Sequence, residues 1–329
     1  MLRKFWKYIV LVLSVIILYA ILGDRSYDYN QFPIKDLHTE LTRCPHREGG
    51  FVTTSFLTLQ VGAGIGNQLF ELFSILGIAR KLNRTAIFNA DDYELDDAIA
   101  NLQRNVPGLV DMFQFVQLTA DTARYPFNQV MCCMHWNERW VECDNASFLF
   151  LDGTYFQSFK YFDGMRSEIR SLLSPEQYRY DQSSRKLCVH IRRGDFLSDG
   201  MHRGSDPEFV MKAIRLLFHK NNHLKEVVFI GNDPKWTREN FESLEQKITI
   251  LDTPKEKAVE DIHYSSQNCH SFLISSPSST FAWWLAYSID NQENVFYRDI
   301  EDTSDLVQYH MRSQDFYPPQ WNKISAGML

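Results

Sequence analysis

The chain has 329 residues, 44% of them hydrophobic and 14% aromatic, with a formal net charge of −7. That composition describes a globular chain with room for two domains of ordinary size and excludes a disordered or low-complexity protein. The negative balance argues against a surface made for nucleic acid or anionic lipid.

Arg3, Lys4 and Lys7 precede Tyr8–Gly23, a stretch without a charge, and Asp24 and Arg25 follow it. A full span wants about 20 apolar residues, and Phe5 and Trp6 with a snorkelling Lys7 extend this one. The basic flank predicts a cytosolic N-terminus and a body on the far side of the membrane. A cleaved signal peptide is the rival, but Leu18 and Ile21 stand where small residues are wanted. The expectation is an uncleaved anchor over 1–23 and a polar stem over 24–50.

Two sequons suit that compartment, Asn83-Arg84-Thr85 and Asn145-Ala146-Ser147, with Asn145 the better placed if Asn83 is masked by a helix. Six cysteines at 44, 132, 133, 143, 188 and 269 permit disulfides. Cys143 is expected to bridge to Cys132 or Cys133, and Cys188 to remain a free thiol in the core. No spacing among them makes a CxxC pair or a zinc site.

Over 51–180 the pattern predicts an α/β domain. Ser55–Val61 alternates like a strand, Gly62, Gly64 and Gly66 make a turn, and Asn67–Leu82 repeats apolar residues at helical spacing. A second strand starts at Thr85–Phe88, followed by Asp91 and Asp92. This partly imitates a dinucleotide fingerprint, but Asn67 stands where the third glycine should fall. Asn67 and Gln68, at the predicted helix start, are candidates for sugar hydroxyls. Ala90–Tyr155 is aromatic-rich and less regular, and Trp136, Trp140 and Tyr155 receive no role.

Over 181–329 strand and helix alternate again. The sharpest stretch is Lys186–Phe196. Leu187, Val189 and Ile191 make one face of a strand, and Cys188, His190 and Arg192 the other. Two adjacent arginines at a strand end suit an anion, because each offers a rigid fork of donors. An Arg–Asp pair closing the strand is the plainer alternative. Helices are expected at Phe209–His219, Trp236–Leu244 and Phe281–Ile289, and strands at Glu226–Ile230, Ile248–Leu251 and Phe272–Ser275, with Asn294–Tyr297 ending the sheet. Arg192, Asp233 and Ser278–Thr280 then share the carboxyl edge, where α/β sheets bind ligands.

These blocks carry a resemblance. His190-Ile-Arg192-Arg193-Gly-Asp195 resembles the H-x-R-R-x-D signature of the α1,2-fucosyltransferases, glycosyltransferase family eleven. Gly64-Ile-Gly66-Asn67-Gln68-Leu-Phe70 looks like that family's G-x-G-N-Q-x-F. Phe229-Ile-Gly-Asn-Asp233-Pro-Lys-Trp236 and Ser278-Ser279-Thr280-Phe281-Ala-Trp283-Trp284 are similar to two later blocks, in the family's order. One departure is Gly231-Asn232-Asp233, where the family usually has Ser-Asp-Asp. Leu197–Gly204 matches too loosely to name the acceptor.

The resemblance implies an α/β, GT-B-like fold of two Rossmann-type domains facing a cleft, the first on the acceptor side and the second binding the donor. It implies a Golgi membrane enzyme, single-pass and type II, with a lumenal catalytic domain. Its reaction is inverting transfer of L-fucose from GDP-fucose to the 2-hydroxyl of a galactose on a glycan, with no metal or other cofactor. Carried over, Arg192 binds the β-phosphate, His190 and Asp233 contact guanine, and Ser278, Ser279 and Thr280 line the pyrophosphate. Arg193 and Asp195 support the loop, and Asp195 or Asp199 is a candidate base. The rival readings are a lumenal dinucleotide oxidoreductase using Gly62–Gly66 and Asp91, and a non-catalytic carbohydrate-binding membrane protein.

Overall fold

The computed structural model describes residues 49–127, 132–174, 185–254 and 257–329. The expected anchor, the stem up to residue 48 and Cys44 lie outside the described residues. Among the described residues no helix is long and apolar enough to cross a membrane.

Two parallel sheets dominate. The first has strands β1 (Phe51–Thr53), β2 (Thr85–Asn89), β3 (Gln114–Val116), β4 (Thr122–Pro126) and β5 (Phe148–Asp152), in the order β3-β2-β1-β5-β4. The second has β6 (Arg185–Ile191), β7 (Leu224–Gly231), β8 (Lys247–Ile250), β9 (Cys269–Ile274), β10 (Val295–Arg298) and β11 (Asn322–Ile324), in the order β11-β10-β9-β6-β7-β8. The second sheet reverses its winding once, between β6 and β9, whereas in the first the chain passes from β3 to β4 on the far edge before β5 fills the place beside β1. Such a reversal opens a crevice at the carboxyl ends of the strands.

The helices that matter for the site are α1 (Leu57–Gln60), α2 (Ile65–Lys81), α3 (Pro207–Lys220), α4 (Pro234–Phe241) and α5 (Thr280–Ser288). Along β6 the period-2 reading holds. Leu187, Val189 and Ile191 pack with Phe209, Val210 and Ile214 of α3, while Cys188 joins the main core. That core runs through both halves of the chain, from Phe70 and Phe73 on α2 to Trp283 and Trp284 on α5. Both tryptophans are fully buried, and each indole N–H reaches a carbonyl, of Phe316 and of Gly66. Burying the indole without those acceptors would leave a donor unsatisfied.

Four expectations need correction. Ser55–Val61 is not a strand: the strand is Phe51–Thr53, and α1 follows it. Phe56 turns the chain with a left-handed backbone, φ 51°, and the Glu71 carboxylate accepts the Thr58 N–H at 3.0 Å and its hydroxyl. Asn294–Tyr297 does not end its sheet, because β11 pairs outside β10. Cys188 is not a free thiol but is bonded to Cys269, on the strand beside it, with Cα atoms 5.6 Å apart. Cys132 and Cys133 bond each other rather than Cys143. Both sequon asparagines, Asn83 and Asn145, are exposed, Asn83 lying beyond the end of α2 instead of under it.

Glu71 has a measurable consequence. Burial pushes its carboxyl up to about 7, outweighing the hydrogen bonds from Thr58, and its second oxygen has no partner. A carboxyl with a raised folded pKa contributes stability below its ordinary 4.5 that is lost as pH rises through about 7. Stability is expected to fall by about 3 kcal/mol across that window. In Glu71→Gln this part of the slope disappears, which urea titrations at several pH values would read. An unchanged slope would show that Glu71 does not titrate there.

Candidate active site

The site forms at the carboxyl ends of β6, β7 and β9. β6 ends at Ile191, and the chain leaves the sheet through Arg192 and Arg193. Gly194 then takes φ +60°, a backbone that L side chains rarely adopt, and a Cβ there would stand 2.8 Å from the Asn232 amide nitrogen. The loop returns to the strand end at Ser205. Arg192 N–H donates to Ser205 Oγ at 2.8 Å, and Ser205 N–H donates to the Arg192 carbonyl at 2.7 Å. Ser275, at the end of β9, donates to the His190 carbonyl and shares a hydroxyl contact of 2.6 Å with Ser205.

The two arginines part company. Arg192 pairs with Asp195 at 2.8 Å and lies over the Phe196 ring, its carbon 4.6 Å from the centroid. Its Nε is buried with no hydrogen-bond partner. Arg193 turns to the neighbouring strand end, donating to Asp233 at 3.1 Å and lying 4.1 Å over Trp236. Asp233 also caps α4 by accepting the Trp236 N–H at 3.0 Å, so both of its oxygens are engaged. Asn232, where the family usually has Asp, accepts the Arg193 N–H at 2.8 Å.

His190 is almost completely buried, its ring 5.9 Å from that of Phe281. Burial first, and the Arg192 charge second, bring its pKa down to about 3, so the ring is neutral. Its Nδ1 has no partner. Buried polar atoms without partners are rare in folded proteins, and two of them, on His190 and Arg192, stand two residues apart at this strand end.

The hydroxyl turn does several jobs. Ser278 donates to Asp305 at 2.6 Å, Ser279 caps α5, and Thr280 donates to Asn67 Oδ1 at 2.8 Å. Asn67 accepts a second bond, 3.0 Å from Gln157, which follows β5. One amide therefore ties the start of α2 and the chain after β5 to the hydroxyl turn after β9. Gln68 is turned inward, donating to the Ala63 carbonyl at 2.7 Å.

Gly66, in the first turn of α2, has a use that the dinucleotide comparison does not suggest. A Cβ on Gly66 would lie 2.6 Å from the Phe281 nitrogen and 2.8 Å from the Thr280 carbonyl carbon. The N-terminus of α2 thus abuts that of α5. Two positive helix ends close together favour a negative ligand beside them. Sequence spacing offers no signal for Gln157, Ser205, Ser275 or Asp305, which reach the site only through the fold. Among the described residues no group of three or more His, Cys, Asp or Glu is placed to hold a metal ion.

The Glycosyl transferase family 11 profile matches residues 137–325. A Caenorhabditis elegans protein named galactoside 2-alpha-L-fucosyltransferase is 38% identical over 341 aligned residues, 99% of this chain and 94% of that one. A second of the same name and organism is 32% identical, covering 80% of this chain and 75% of its own length. A crystal structure titled POFUT1 in complex with GDP covers 76% of this chain and 98% of its own at 10% identity. Its TM-score of 0.38 is too low to carry an assignment. This chain belongs to glycosyl transferase family 11 and is a glycosyltransferase.

Proposed function

We propose that this protein is a galactoside α1,2-fucosyltransferase, moving L-fucose from GDP-fucose to the 2-hydroxyl of a galactose with inversion. The observation that supports this best is the buried, partnerless Arg192 Nε at the end of β6. The bond to GDP breaks through an oxocarbenium-like state, and the main task is to stabilise charge on the departing diphosphate. Arg192 meets the β-phosphate, and the α5 N-terminus with Ser279 and Thr280 meets the rest. His190 and Asp233 bound the guanine end, Arg193 fixes Asp233, and Asp195 orients Arg192. The second sheet then belongs to a donor domain and the first to an acceptor domain of a GT-B-like enzyme. No metal takes part.

The test is transfer by the full-length protein in detergent from GDP-fucose to galactose-terminated glycans, with product linkage read by NMR. Fucose in α linkage at O2, formed equally in the presence of chelator, is expected. Reversible loss of activity with chelator would overturn the metal-free reading. Binding of NAD in place of GDP would favour the oxidoreductase, and glycan binding without transfer the carbohydrate-binding protein.

The proposal places the enzyme in the Golgi membrane through residues 1–23, with the body lumenal. The full-length protein is expected to resist carbonate extraction and to carry a glycan on Asn145, removed in Asn145→Gln. Recovery as a soluble species starting near Asp24 would mean a cleaved signal peptide.

A further inference from the structure

The loop between Arg192 and Ser205 holds a second constellation. Asp199 Oδ2 lies 2.6 Å from His202 Nδ1, while its Oδ1 accepts the N–H groups of Met201 and His202, both at 2.9 Å. Burial works against ionising this carboxyl, but the three contacts outweigh it and hold it below its ordinary range. A carboxylate on Nδ1 fixes the ring's tautomer and leaves the lone pair on Nε2. Nε2 makes no hydrogen bond among the described residues, and the side chain is 28% exposed.

The ring is also placed. It stacks on Phe196 with centroids 4.1 Å apart and planes 18° apart. Phe196 is the ring that carries the Arg192 guanidinium. Arg203, the next residue, donates its N–H to Asp305 at 3.1 Å, on the same oxygen that accepts Ser278. The loop is therefore pinned to both sides of the candidate donor site. The charged groups on the elements packed against it are Arg192 and Asp195 across Phe196, Arg203 beside it and Asp305 behind it. Asp195 gives one oxygen to Arg192, whereas the His202 ring is held on both sides, by Asp199 and by Phe196, with Nε2 left as a proton acceptor.

We propose that His202 is the general base of the transfer, with Asp199 as its positioning residue. This rests on the fucosyl-transfer reading above. As the acceptor O2 attacks the anomeric carbon of fucose, its proton passes to His202 Nε2. The bond from that carbon to the diphosphate oxygen breaks, and the electron pair leaves with GDP. The imidazolium then releases its proton to water, while Asp199 stays ionised throughout.

The experiment compares wild type, His202→Gln, His202→Ala and Asp199→Asn for transfer, GDP binding and thermal melting. Loss of a general base costs on the order of 10²–10⁴ in rate, so kcat in His202→Gln is expected to fall about that far. GDP affinity and melting should stay close to wild type, and the acid limb of the wild-type pH–rate profile should vanish. Added imidazole should restore part of the activity of His202→Ala. Asp199→Asn should keep an acid limb, displaced from that of wild type, with kcat lowered more than KM is raised. Transfer by His202→Gln within about threefold of wild type, with the acid limb intact, would remove His202 from the reaction. So would lost transfer that goes with lost GDP binding or lowered melting in both Gln and Asn variants. If wild type itself transfers no fucose, the proposed function fails instead, and this assignment with it.

Discussion

Arg192→Lys is expected to reduce fucosyl transfer by roughly 10²–10³, about 3–4 kcal/mol, the usual loss of one preorganised donor. Lysine keeps the charge, so it would serve if Arg192 did no more than match Asp195. That pair is partly open to water, with Asp195 62% exposed, and such pairs contribute about 0–1 kcal/mol. The guanidinium offers more than charge. Its plane rests on Phe196, one edge meets Asp195, and the buried Nε is left for a ligand. A lysine ammonium cannot reproduce that fork. Melting of the unliganded variant should stay near wild type while kcat collapses. Equal activity in the two proteins would take Arg192 out of the site and undo the donor assignments that lean on it. Arg193→Lys is expected to be milder in rate. Its contact with Trp236 and Asp233 ties the ends of β6 and β7 together, and losing the planar stack costs about 1 kcal/mol.

Gly66→Ala should be among the most damaging small changes near the site. Its methyl would meet backbone atoms of Thr280 and Phe281 at 2.6–2.8 Å, and backbone does not rotate out of the way. Overpacking of this kind costs about 1–3 kcal/mol. The effect on activity should exceed what that alone implies. Forcing α2 and α5 apart strains the Asn67–Thr280 and Trp284–Gly66 hydrogen bonds and shifts the α5 N-terminus. A displacement of about 1 Å in a positioned group can cost on the order of 10² in rate. Gly64→Ala is the control, since a Cβ there meets no atom within 4 Å and its φ is ordinary. Urea unfolding and kcat should separate the two variants. Equal damage from both would show that turn flexibility, not the helix contact, is what glycine supplies.

Much of the second half is legible in the residues because its signals are local. The β6 strand ends in two charges that cannot remain inside a sheet without partners. Asp233-Pro234 and Ser279-Thr280 are helix starts by composition, and they cap α4 and α5 as such. Since every paired strand of this sheet is parallel, those starts fall on one edge. The first half is harder. Ser55–Val61 has strand alternation, yet a buried carboxylate thirteen residues away holds Thr58 in a helical turn. No pattern within the stretch carries that information.

Local chemistry therefore determined which residues bear charge, which strand points them outward and which helices begin beside them. The partners of those residues were decided by the tertiary structure. Cys188 pairs with a residue 81 positions later because β9 lies beside β6. Arg193 leaves Arg192 because Gly194 turns the chain and Trp236 offers a face. Asp305 joins Ser278 to the loop of His202, and Asn67 joins the start of α2 to that of α5. Sequence periodicity reports which face a side chain takes, whereas a hydrogen bond between distant segments exists only once both have been packed into place.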